Sequence, residues 1–212
     1  MKYPNALRGI KTIHIAELCT LVLTVVSLGM LILEQLVESH QAILGTYYGI
    51  VAALSLAALV LELVGIFTAS KDESRFKNAA IGMSLSLLLS FGVLFIEEGQ
   101  LLRTLIELLC IVPTLYCSVS VILGIMHLAD KLQDQGMLAR KRFLIRSVSL
   151  LSVGAVGLEF IAALFLHREK YETLHAIFHT MILTMELVEV SIFLSCTSQA
   201  ELMLHHAHTE SH

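Results

Sequence analysis

Charge is what this chain has least of. Asp, Glu, Lys and Arg together make 15% of its 212 residues, against about 25% in an ordinary soluble domain. Tryptophan is absent, and proline occurs twice. So few helix breakers leave little room for long irregular loops. Without tryptophan, anchoring at a membrane surface falls to Tyr47, Tyr48, Tyr171 and the phenylalanines. The four cysteines, Cys19, Cys110, Cys117 and Cys196, each lie inside an apolar run. On one helix, Cys110 and Cys117 would sit roughly 10 Å apart at about 1.5 Å per residue, too far for a disulfide, and they read as small buried hydrophobes. HExxH, GxSxG, CxxC and a Gly-rich phosphate loop are all missing, so nothing supplies a nucleophile or a phosphate clamp and no enzyme activity is expected. The net charge of −4 gives no electrostatic footprint for nucleic acid. No cofactor is indicated.

What is present is apolar: 56% of residues, with a mean hydropathy of +0.79. Six stretches reach the roughly 20 residues a helix needs to cross a bilayer: about 10–33, 43–67, 77–97, 105–128, 143–166 and 174–197. The first is too long for the apolar segment of a signal peptide and is expected to be retained. The sequence therefore predicts an all-α integral membrane protein, a single domain over 1–212 with six transmembrane helices. Of the 14 Lys and Arg, all but Arg103, Arg168 and Lys170 fall at one set of span ends, which makes that side, and both termini, cytoplasmic. The opposite loops, EQLVESHQ, IEEGQ and HREKYE, are short and acidic. Small size and short loops point to a bacterial inner membrane.

Arg8, Arg75 and Arg142 recur at a spacing of 67 residues, each near the start of an odd-numbered span. This suggests three tandem helical hairpins, about 6–70, 73–136 and 140–204. GTYYG at 45–49, followed by Ala52, Ala53, Ala57 and Ala58, has the small-residue pattern of close helix contact. Pro113 is expected to interrupt the fourth span. Ser84, Ser86, Ser147, Ser149 and Ser152 give spans three and five slim polar faces.

The functional signal is a mismatch of sign. Glu159 stands alone in VGAVGLEFIAAL. Glu186 lies near the middle of span six, and Glu189 about one turn further in. Glu17 and Glu62 lie in the inner halves of spans one and two, and Glu107 near the outer end of span four. No lysine or arginine lies at comparable depth. A charge at the bilayer centre costs at least about 2.5–3.5 kcal/mol, so these acids either hold protons or neutralise a cation from outside the chain. Glu172, His175, His179 and Glu186 project onto one stripe of span six, and Ser152, Ala155 and Glu159 onto one of span five. Facing each other, they would form a polar track with His167, His175 and His179 at the mouth and Glu159 and Glu186 deeper.

The expected pocket is therefore Glu159, Glu186, Glu189, His175, His179 and Ser152, taking a small solute or cation from the outer side. A bundle without a nucleotide site would need an ion gradient or an energising membrane partner. His175 and His179, one turn apart, form half of a metal site; the alternative is a pair of interfacial histidines. The rival for the whole chain is a structural or regulatory membrane protein whose acids are neutral hydrogen-bonding glue, with basic inner loops that hold a partner or anionic lipid. The tail HHAHTESH is rich in histidine and could bind metal.

Overall fold

The computed structural model describes residues 3–36, 41–93, 95–96, 101–165 and 172–209. The chain is all-helical: α1 (Pro4–Leu36), α2 (Gln41–Ala69), α3 (Arg75–Val93), α4 (Leu101–Lys131), α5 (Gln135–Phe165) and α6 (Glu172–Thr209). Among the described residues, every helix but α3 is long and apolar enough to cross a membrane. The 19 residues of α3 reach roughly 28 Å at about 1.5 Å each, close to the thickness of a hydrocarbon core. It stops at Val93, short of the 97 expected from hydropathy. The acidic loops and His167 lie mostly or wholly outside the described residues, as do the last three residues of the tail.

The helices close into a ring. α1 packs on α2 and α6, α5 on α6 and α4, and α3 on α4, while α2 and α3 form the least extensive seam between ring neighbours and α4 touches α6 more lightly across the ring. One end collects the start of α1, the α2–α3 turn, the end of α4, the start of α5 and the end of α6. Among the described residues it carries every lysine and arginine except Arg103; this is the basic end. The buried core sits in this half, built from Ile10, Ile13, Ile66, Phe76, Ile125, Met126, Val148 and Leu204 among others. Away from it, large apolar side chains such as Val22, Leu56, Leu88, Val112 and Leu150 face outward, as lipid-facing positions should.

Glycine sets the closest approaches. A methyl group on Gly9 would meet the Ala69 nitrogen and the Gly65 carbonyl oxygen, each at 2.5 Å, so α1 and α2 touch backbone to backbone. A methyl group on Gly82 of α3 would lie 2.9 Å from the Pro113 carbonyl oxygen and 3.1 Å from the Cys117 nitrogen of α4. The expectation of close contact at GTYYG is not met at Gly49, around which nothing lies within 4 Å. Ala52, Ala53 and Ala57 are exposed, and only Ala58 of that run is buried. Small residues permit close packing, but the crossing forms where two of them on different helices coincide in depth.

The turns at the basic end are tightly specified. At the end of α4, the Asp134 N–H donates to the Ala129 carbonyl and the Gln133 N–H to that of Asp130, which is a Schellman cap. Its left-handed position, usually glycine, is Gln133 (φ 58°). Asp134 then caps α5, accepting from the Met137 N–H at 3.0 Å. A side chain in the left-handed region costs about 1 kcal/mol relative to glycine. Gln133→Gly is therefore expected to raise the melting temperature by about 2–4 °C; an unchanged or lower value in a thermal melt would show that Gln133 makes a compensating contact. At the α1–α2 seam, the Asp72 carboxylate accepts from the Asn5 N–H (2.7 Å), the Ala6 N–H (2.9 Å) and the Asn5 amide (2.9 Å). An acid from one turn thereby satisfies the orphan donors of a helix start 67 residues earlier.

Candidate functional site

Above the packed half, the ring opens around a cavity of about 510 Å3. Its walls are stripes at helical spacing. α1 supplies Glu17, Thr20 and Thr24; α3 supplies Met83, Ser86, Leu87 and Ser90; α6 supplies Glu186, Glu189, Val190 and Phe193. α2 adds Leu59 and Glu62, and α4 adds Thr114, Cys117 and Ser118. Met83, Cys117 and Phe193 also belong to the buried core, so they form the floor. One turn below Glu17, His14 ties α1 to α6: its Nδ1 lies 2.9 Å from the hydroxyl of Thr197, which is fully buried. That hydroxyl donates to the Leu194 carbonyl, so the proton between them comes from His14 Nδ1.

Four carboxylates from three helices therefore share one cavity, and among the described residues no lysine, arginine or histidine lines it. Glu17 is within electrostatic range of Glu62 and Glu189, and Glu186 within range of Glu189. The hydroxyls do not offset this bias. Thr20 donates to the Ala16 carbonyl, Thr24 to that of Thr20 and Thr114 to that of Cys110. Since Thr114 has spent its proton, Ser86, 2.8 Å away, must donate to it. Glu189 accepts from the Ser152 hydroxyl at 2.7 Å. Most of the lining's donors are thus committed within the protein, and what remains facing the space is oxygen acceptors.

The sequence-derived site is divided by this geometry. Glu186 and Glu189 line the cavity, and Ser152 reaches its edge from α5 through Glu189. Glu159 is exposed and outside the lining, though close enough to Glu186 to interact electrostatically. His179 is also exposed and outside the lining. The side chains of His175, Glu172 and Glu107 are outside the described residues. Among the described residues no three His, Cys, Asp or Glu side chains come together as a metal-binding group. Glu17 and Glu62 join the site instead. The signal for them was the one that flagged Glu159, an acid in an apolar run, with Thr20 and Thr24 continuing the Glu17 stripe.

Compared with protein-family models, curated proteins and solved structures, the chain matches none.

Proposed function

We propose that this is a multi-pass cell-membrane protein, three helical hairpins with both termini cytoplasmic, that binds or conducts a small cationic solute in the acidic cavity. One observation carries this reading: four glutamates on α1, α2 and α6 line a space that no basic side chain enters among the described residues. Carboxylates in a low-dielectric setting need a counter-charge or a proton, and the acceptor-rich wall suits a guest that brings positive charge and hydrogen-bond donors. The volume lies within the roughly 300–1,000 Å3 of small-molecule sites, more than a bare ion fills. Neutral glue fits less well. Glu189 alone of the four has a hydrogen-bond partner among the described residues, whereas glue would tie each acid to a neighbouring helix. The basic end faces the cytoplasm by the positive-inside bias, which turns the cavity toward the outer side. Movement of the solute would draw on a gradient or an energising partner.

The test is thermal unfolding of the purified protein at fixed lipid content, against alkali and alkaline-earth salts and small aliphatic amines. A guest at 100 times its Kd stabilises by about 2.7 kcal/mol, or about 5–10 °C for a chain of this size. At least one cationic probe is expected to give such a shift, and Glu17→Gln with Glu186→Gln to remove it. No response to any probe, or the same response in the double variant, would refute the proposal.

A further inference from the structure

A second cavity lies on the lipid-facing side of the ring, at the α2–α3 seam, with a volume of about 480 Å3. It is separate from the acidic cavity and opposite in character. Phe67, Ile81, Leu85 and Leu88 make an apolar track, and Lys77 and Ser70 stand at its basic end. All four large apolar residues are exposed. From Lys77 to Leu88 the track runs roughly 16 Å at about 1.5 Å per residue, about half of a ~30 Å hydrocarbon core. Its length is that of one leaflet, with a cation at the headgroup level.

The charge around that cation is biased by the internal hydrogen bonds of the turn. Asp72 is committed to the start of α1, and Glu73 is buried, accepting from Lys131, His127 and the Arg75 N–H. The turn's two acids thus point inward, while Lys71 and Lys77 are exposed and Arg75 is half-exposed. A groove one leaflet long, apolar along its length and ending at Lys77, with both acids of the adjoining turn bonded elsewhere, fits an acidic phospholipid.

We propose that the α2–α3 seam is a binding site for an acidic phospholipid of the leaflet at the basic end, its phosphate on Lys77 and an acyl chain along Ile81, Leu85 and Leu88. The lipid fills the seam where the ring packs least. The site is independent of the acidic cavity.

Full-length protein in a mild detergent is titrated with phosphatidylglycerol or with phosphatidylcholine of the same chains, reading melting temperature and lipid retention by native mass spectrometry. Phosphatidylglycerol is expected to be retained and to raise the melting temperature more than phosphatidylcholine. Lys77→Gln should weaken its apparent affinity about fivefold, the effect of one basic side chain at an anionic surface. Ile81→Asn, at an exposed position, should weaken retention of the acyl chain, whereas Arg142→Gln, exposed on α5 and outside the groove, should leave retention unchanged. Equal retention of the two lipids would overturn the proposal. So would an unaffected Lys77→Gln protein, an equal loss in Arg142→Gln, or an equal thermal shift from inorganic phosphate alone.

Discussion

Gly9→Ala is expected to lower the melting temperature by about 4–8 °C, although alanine is the better helix former. Replacing a mid-helix glycine gains about 1 kcal/mol in propensity. At Gly9 the new methyl group would lie 2.5 Å from the Ala69 nitrogen and from the Gly65 carbonyl oxygen. These are backbone atoms, which cannot rotate aside, so the α1–α2 crossing must widen. Overpacking costs about 1–3 kcal/mol where side chains can adjust and more where they cannot. A net loss of about 2 kcal/mol converts to the stated shift at about 2–4 °C per kcal/mol. Gly157→Ala is the control. Nothing lies within 4 Å of that position, so only the propensity gain remains and stability should rise slightly. If both variants shift alike, the backbone contact between α1 and α2 does not hold the helices together. Gly65→Ala should reproduce the Gly9 result, because its methyl group would meet the Gly9 carbonyl oxygen at 2.8 Å and Ile13 at 2.7 Å.

That crossing also marks where reading the sequence stopped. Six helices were legible because runs of about 20 apolar residues have few other uses. Their ends were less so. Hydropathy closes the sixth span near 197, but α6 runs on to Thr209, with Ala200, Met203 and Leu204 buried in the core. This extension buries Ala200, Met203 and Leu204 but interleaves them with Glu201, His205 and His206, a pattern that hydropathy averaged over a long window dilutes. The GTYYG motif and Gly9 looked alike as small residues; which of them meets another helix depends on pairings remote in sequence.

The candidate site was half legible for the same reason. Every acid in the cavity could be seen in the sequence, and the missing counter-charge with it. Which acids converge was inferred from chain adjacency, pairing Glu159 of α5 with Glu186 of α6. The structure packs α6 along α1 as well as α5, and the α1 side of that contact turns Glu186 and Glu189 toward Glu17 and Glu62 around the cavity. A contact between helices at opposite ends of the chain leaves no trace in either helix alone. Glu159, on an exposed part of α5, lies outside the cavity lining but within electrostatic range of Glu186.

Glu73→Gln is expected to cost about 2 kcal/mol at neutral pH and nearly nothing in strong acid. Glu73 is 1% exposed and accepts from Lys131 Nζ at 2.7 Å, His127 Nδ1 at 2.8 Å and the Arg75 N–H at 3.2 Å. Burial pushes its pKa up, but the bonds from Lys131, His127 and Arg75, with the Lys131 charge, outweigh it and hold the carboxyl below its usual range. A depressed native pKa means that the unfolded chain takes up the proton first as pH falls. The contribution is therefore fully present above about pH 4.3, the unfolded glutamate value, and is lost as pH drops through the native value. Removing one partner of a buried ion pair costs about 3–5 kcal/mol; Lys131 and His127 keep roughly a third of their side-chain exposure and can turn to water, which places the loss below that range. Thermal melts of wild type and Glu73→Gln across pH 2–8 test this: the gap between them should close in acid, and a gap independent of pH would show that Glu73 acts by shape and not by charge. Because Glu73 anchors the α2–α3 turn to α4 at the basic end, its loss should leave any cation response of the acidic cavity intact in molecules that remain folded. The packed half would then be a base on which the open half binds, and the two would fail separately.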